Sequence, residues 1–179
     1  MLTHEFVTDS TISVEYADQI EALNKEFFPD NLVGGKYIFN AKHNNPKRLL
    51  LINDGLVVGH MLFVERSISI GDQPLNILYI GELMIRKEFQ SKGLGKQLLN
   101  TFIQKLKTEK YDLALLICVP EKAGFYVKSG MTIFDNVTVF LKSDGEEIMA
   151  DGIVVGLTFN QETNQLLSKP VQVFLGESV

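Results

Sequence analysis

The residues best placed to do chemistry lie in Gln90-Ser91-Lys92-Gly93-Leu94-Gly95-Lys96, where two glycines one residue apart precede a run of helical letters. Glycine lets backbone N–H groups approach a ligand closely, and a helix start adds unpaired donors and a partial positive charge. A phosphate is the natural ligand for that geometry. Two familiar phosphate loops fail against the letters. A Walker A loop needs Ser or Thr after the Gly-Lys pair, but Gln97 follows Lys96, and Gln90 stands where its first glycine belongs. A dinucleotide fingerprint starting at Gly93 needs a third glycine where Leu98 sits. Other chemistries have less support. Cys118, the only cysteine, lies in an apolar run with no histidine near it in sequence and reads as a small core residue. His4, His43 and His60 show no metal-ligand spacing, so no metal is expected.

The elements around the loop must hold it. Leu75 to Ile85 reads as a strand that runs into it, and beyond Gly95 the letters Leu98, Phe102 and Leu106, with Leu94, form one apolar stripe of a helix. Upstream, residues 5–12 read as a strand and Val14 to Leu23 as a helix. The stretch from Phe27 to Lys47 has no clear period and reads as a short helix flanked by loops, with Tyr37 and Phe39 either covering the core edge or lining a substrate pocket. Arg48–Ile52 and Leu56–Val64 are apolar runs joined by Asn53-Asp54-Gly55, a strong hairpin signal, and Gly71-Asp72 is the next turn. Downstream come a buried strand at Leu113–Cys118 and a helix opened by Pro120 and closed by Gly130. A strand from Met131 to Leu141 follows. The tail has turn signals at Ser143-Asp144-Gly145 and Asp151-Gly152, a strand at Ile153–Phe159, a helical turn at Glu162–Ser168 and a strand at Val171–Leu175. This order predicts a mixed α/β (α+β) fold, antiparallel in its first half.

Composition narrows the partners. The chain has 179 residues, a formal net charge of −5 and 45% hydrophobic letters, enough for one domain, 1–179. An acidic balance argues against a nucleic-acid partner and weakly favours amine-bearing ones. No apolar run approaches the roughly 18 to 20 residues of a membrane span. A lone cysteine and no secretory pattern predict a cytoplasmic protein with no membrane partner.

Gln90-x-x-Gly93-x-Gly95 behind a strand resembles the acetyl-coenzyme A pyrophosphate loop of GNAT-type N-acetyltransferases, whose pattern is Arg/Gln-x-x-Gly-x-Gly/Ala. A second stretch, Ala123-Gly124-Phe125-Tyr126-Val127-Lys128-Ser129-Gly130-Met131, resembles the later motif of the same superfamily and follows at a compatible distance. The resemblance implies a mostly antiparallel sheet splayed at strands 4 and 5 and flanked by helices, with residues 142–179 as a C-terminal β extension. That extension resembles, in outline, the aminoglycoside 2′-N-acetyltransferases. It also implies an acetyl transfer from acetyl-CoA to a primary amine of a small molecule or peptide. Backbone groups of Leu83, Met84 and Ile85 would face the pantetheine and thioester, with the Leu83 N–H as oxyanion donor. The pyrophosphate would meet the loop from Gln90 through Ser91, Lys92, Gly93, Leu94 and Gly95 to Lys96. Phe125 and Tyr126 would lie against the cofactor.

Three further roles follow. Tyr126, with an ordinary phenol pKa of about 10, would protonate a thiolate whose conjugate acid titrates near 8.5. Glu82, on the strand beside Leu83, is the leading carboxylate for a general base, and Glu121 a weaker one. Val119 departs from the family, which often has an asparagine there on the pantetheine. The competing readings are a non-catalytic acyl-CoA binding or sensing module and a nucleotide-binding domain. The C-terminal strands could pair in a homodimer or cover the sheet edge.

Overall fold

A computed structural model describes residues 1–27, 46–143 and 146–177. The elements are β1 (Leu2–Thr8), α1 (Val14–Phe27), β2 (Lys47–Asn53), β3 (Leu56–Ile70), β4 (Gln73–Ile85), a 3-10 turn at Lys87–Phe89 and α2 (Leu94–Leu106). Then come β5 (Leu113–Cys118), α3 (Pro120–Val127), β6 (Thr132–Ile133), β7 (Val137–Ser143), β8 (Glu146–Met149), β9 (Ile153–Thr158), α4 (Gln161–Leu167) and β10 (Val171–Glu177). The chain divides into two compact units, Met1–Phe63 with Glu82–Phe102, and Val64–Gly81 with Ile103–Val179. Strands β3 and β4 run through both.

In the first unit β1, β2 and β3 form an antiparallel meander. Asp54 and Gly55 both take positive φ, as a tight primed turn between twisted strands requires. α1 buries Ile20 and Leu23 completely, and Ile20 packs with Val7, Leu50, Ile52 and Val57. The first turns of α2 bury Leu98, Leu99 and Phe102, the stripe its spacing predicts, with Phe102 4.8 Å from the Phe63 ring. The β2–β3 register shifts between Leu51 and Ile52, leaving Val58 as an extra residue on β3. The Val58 carbonyl accepts the Arg86 N–H at 2.9 Å and so fixes the end of β4. At Gly59 a Cβ would lie 2.4 Å from Ile85 Cδ1 and 2.7 Å from the Met84 carbonyl, so only glycine lets β4 come this close.

The second unit has the order β3-β4-β5-β9-β6 and a separate sheet ordered β10-β7-β8. β5 pairs in parallel with β4 over three residues, Ile77 to Tyr79 against Leu113 to Leu115. From Leu116 to Cys118 its ladder is to β9. That short pairing is the splay of strands 4 and 5 expected above. Asp112 organises the entry to β5: its carboxylate accepts the Asn76 N–H at 2.8 Å and the Asn160 side-chain amide at 2.9 Å, and Asn160 caps α4 through Thr163. A Cβ at Gly156 would meet the Ala114 carbonyl at 2.4 Å and the Phe134 ring at 2.8 Å. Gly156→Ala is therefore expected to cost about 1–3 kcal/mol, read as a lower midpoint in thermal unfolding.

Several elements differ from the sequence reading. The first strand stops at Thr8 instead of residue 12, because the Thr11 hydroxyl accepts the Thr8 N–H and the Ile12 N–H bonds the Thr8 carbonyl. The span Met131–Leu141 is two strands, since a turn at Phe134 to Val137 moves the chain from pairing with β9 to pairing with β10. β8 was not foreseen; its letters Glu146-Glu147-Ile148-Met149 are all exposed and carry no core pattern. The expectations for residues 28–45, including Tyr37, Phe39 and His43, and for the turn at Asp144-Gly145, lie outside the described residues. Among the described residues no helix is long and apolar enough to cross a membrane.

Candidate active site

The loop after β4 leads through alternating backbone conformations into α2. Ser91 at φ 60° and Gly93 at φ 76° alternate with negative-φ neighbours, which turns successive N–H groups to one side. α2 begins at Leu94, and its first intrahelical bond runs from the Gln97 N–H to the Gly93 carbonyl. The N–H groups of Ser91, Lys92, Gly93, Leu94, Gly95 and Lys96 therefore have no backbone partner among the described residues. The first turn of α2 carries no acidic residue. Gln90 plays a different part from the rest: its N–H goes to the Lys87 carbonyl at 3.1 Å, and its side chain donates to the Ile85 carbonyl at 2.9 Å, closing the loop onto the end of β4. Lys92 is steered by the Glu88 carbonyl at 2.8 Å and by the Phe89 ring at 5.0 Å. Met84 and Ile85 bury their side chains, while Leu83 is half-buried.

Glu82 sits in a polar cluster in the first unit that the sequence reading did not assemble. Arg48, 2% exposed, donates from Nε to Asp9 Oδ1 at 3.1 Å and from Nη1 to Glu82 Oε2 at 3.3 Å. His60 is fully buried, with Nε2 3.3 Å from Asn24 Oδ1 and 3.9 Å from Glu82 Oε2. Burial pushes the Glu82 carboxyl up, the Arg48 charge and hydrogen bond pull it back, and Asp9 adds to the rise. Burial and Arg48 both hold His60 well below its usual value, so it stays neutral near pH 7 and its approach to Glu82 is not an ion pair. A signal existed in the letters: Arg48, His60 and Glu82 are polar residues that border or interrupt apolar runs.

Phe125 and Tyr126 lie on α3 in the second unit, with their rings edge to face at 5.1 Å. The rest of that motif builds the helix. Ala123 and Met131 are buried, Gly130 takes φ 94°, and the Tyr126 carbonyl accepts the Ser129 and Met131 N–H groups. Burial, followed by Cys118 nearby, pushes the Tyr126 phenol up to about 12. Cys118 is half-buried at the end of β5, not fully in the core as its letters suggest, and burial raises its thiol as well, which disfavours a nucleophilic thiolate. Val119 precedes α3 without any side-chain cap, and Glu121 is exposed. Among the described residues no three His, Cys, Asp or Glu side chains converge as metal ligands would.

A family model for the acetyltransferase (GNAT) domain matches residues 11–134. The chain belongs to the GNAT acetyltransferase family. Among solved structures it is similar to the Escherichia coli GNAT family N-acetyltransferase YhbS in complex with CoA, at 14% identity and a TM-score of 0.62, covering 98% of this chain and 91% of that one. It is similar to Tetrahymena GCN5, at 13% identity and a TM-score of 0.63, over 88% of this chain and 96% of that one. It is also similar to Arabidopsis thaliana Naa50 in complex with the bisubstrate analogue CoA-Ac-MVNAL, at 18% identity and a TM-score of 0.59, over 88% and 99%. None of the curated proteins matches it.

As a GNAT acetyltransferase the chain is an acyltransferase that uses acetyl-CoA. The mixed α/β fold and the mostly antiparallel sheet agree with the family expectation.

Proposed function

We propose that this GNAT chain is one acetyltransferase domain, with 142–179 as its β extension, that moves the acetyl group of acetyl-CoA to a primary amine of a small molecule or peptide. The observation that carries the reading is the glycine loop at the start of α2, with six N–H groups that have no backbone partner among the described residues, no first-turn acid and a strand before it that bears a carboxylate. In this reading Ser91 to Lys96 hold the pyrophosphate, helped by the exposed Lys92 and Lys96 side chains. Gln90 keeps the loop closed, and Leu83, Met84, Ile85 and Phe125 lie along the pantetheine. The Leu83 N–H stabilises the oxyanion as the amine attacks the thioester carbon. Glu82 takes the proton that the new ammonium must lose. Tyr126 donates to the sulfur as the carbon–sulfur bond breaks. The lone cysteine suits the cytoplasm.

The test has two steps. Acetyl-CoA should raise the unfolding midpoint, because a ligand that binds only the folded state stabilises it by mass action. Free-thiol release should then be followed with a panel of amines: spermidine, a short peptide with a free N-terminus and a lysine, and kanamycin as an amino sugar. Stabilisation with thiol release above the hydrolytic background for one amine class is the expected result. Stabilisation without release for any of them would make the chain a binding module.

A further inference from the structure

The buried cluster around Glu82 has more parts than a general base needs. Arg48 stands at the head of β2 among Leu49, Leu50, Leu51 and Ile52, where a charge is costly unless paired. It is paired on two sides, with Asp9 after β1 and Glu82 on β4, and its fork spans them through different nitrogens. The two acids are about equally covered, with the Glu82 side chain 22% exposed and that of Asp9 24%. Within the described residues it is faced by Arg48 from β2, by Asp9 from the turn after β1 and by neutral His60 from β3, while α1 contributes uncharged Asn24. Arg48 is thus the cation that bears on Glu82.

We infer that Arg48 is a positioning residue for Glu82: its guanidinium, anchored by Asp9, aims the carboxylate. The inference rests on the reading of Glu82 as base, and it predicts effects of opposite sign from the two neighbours. Without the Arg48 cation, burial and Asp9 act on Glu82 unopposed and its carboxyl titrates higher. Without the Asp9 charge, the Arg48 cation acts on Glu82 alone and the carboxyl titrates lower. Asparagine at position 9 keeps an acceptor for Arg48 Nε, so that change removes charge and little else. A purely structural ion pair would move the same carboxyl titration but leave the acid limb of kcat where it is.

The experiment follows the Glu82 carboxyl by 13C NMR in protein labelled at the glutamate carboxyl, its resonance assigned by its loss in Glu82→Gln. In Arg48→Met the titration is expected to move up by about one to three pH units. In Asp9→Asn it moves down, and in Arg48→Lys, which keeps the charge, it stays near the wild type. In parallel, the acid limb of kcat for thiol release, with the acceptor the panel finds, should follow each carboxyl titration, with KM for acetyl-CoA unchanged. If Arg48→Met does not fold, Asp9→Asn decides the matter by the direction of its shift. A titration unmoved in folded Arg48→Met, or moved upward in Asp9→Asn, overturns the inference. Carboxyl shifts that the acid limb does not follow, with Glu82→Gln still fully active, would instead reject Glu82 as base and leave the hold of Arg48 on it intact.

Discussion

Replacing Gly93 with valine is expected to weaken acetyl-CoA binding about a hundred-fold, equivalent to about 2.7 kcal/mol. The reason is conformational. No atom lies within 4 Å of a Cβ built at Gly93, so there is room for a side chain, but φ is +76°. A left-handed conformation costs an ordinary residue about 1–2 kcal/mol and is a true outlier for a β-branched one. Valine would relieve that strain by turning the loop, and the N–H groups from Ser91 to Lys96 would no longer point to one side. Each hydrogen bond to a charged group contributes about 1.5–3 kcal/mol, so losing the aim of one or two reaches the expected magnitude.

The consequence can be read in a thermal-shift titration. At acetyl-CoA one hundred times the wild-type dissociation constant, the wild type gains about 2.7 kcal/mol, and a variant weakened a hundred-fold gains only about 0.4. Gly93→Asn separates backbone conformation from space, because asparagine tolerates the left-handed region. It should bind within a few-fold of the wild type. Equal losses in Val and Asn variants would mean that space or side-chain chemistry matters at this position, against the open surroundings found here.

The site was legible in the sequence to the extent that backbone chemistry leaves letters behind. Gly93 marks the loop because few other residues take its left-handed backbone path, and Gly130 marks the end of α3 for the same reason. Apolar periodicity placed α2, and an unbroken apolar run placed β5. What escaped depends on contacts between residues far apart in the chain. Arg48 read as the polar start of an apolar run, and Asp9 as part of a strand. Their link to Glu82 arises when β1, β2 and β4 come together in one unit. Gly59 escaped for a related reason: its need for close approach is set by Met84 and Ile85, 25 residues or more away in sequence. Gln90 was taken as a phosphate ligand because of its place in the motif, whereas its engaged N–H and its bond to Ile85 make it a clasp. The division of Met131–Leu141 was hidden because both pieces carry strand letters and only the change of partner strand separates them.

Tyr126→Phe tests the other half of the proposed chemistry. A phenol pushed up to about 12 is fully protonated at neutral pH, so a donor is always present. The same shift makes it a weak acid toward a thiolate whose conjugate acid titrates near 8.5, and complete proton transfer would be uphill by about 3.5 pK units. On the proposed reading the phenol would act chiefly by donating a hydrogen bond to sulfur while charge builds on it, as a preorganised donor does. Loss of one such donor is expected to lower kcat by about 10²–10³. KM for acetyl-CoA should stay within a few-fold, since phenylalanine keeps the ring that packs against Phe125. Between pH 6 and 10 the shape of the rate profile should not change, because Tyr126 does not titrate there. A basic limb present in the wild type and absent from the variant would instead make Tyr126 a titrating acid in that range, and an unchanged kcat would remove it from the chemistry.

The same substitution has a signature in the free protein. A folded-state pKa above the unfolded one gives stability that is present below about pH 10 and lost as pH rises through about 12. The wild type should therefore lose stability relative to Tyr126→Phe across that window. Tyr79 and Tyr111, also shifted upward, are common to both proteins and cancel in the comparison. An alkaline melt that is identical in the two would show that Tyr126 is not held in a charge-excluding site. The weak-acid argument would then give way to full proton donation from a phenol near its ordinary value.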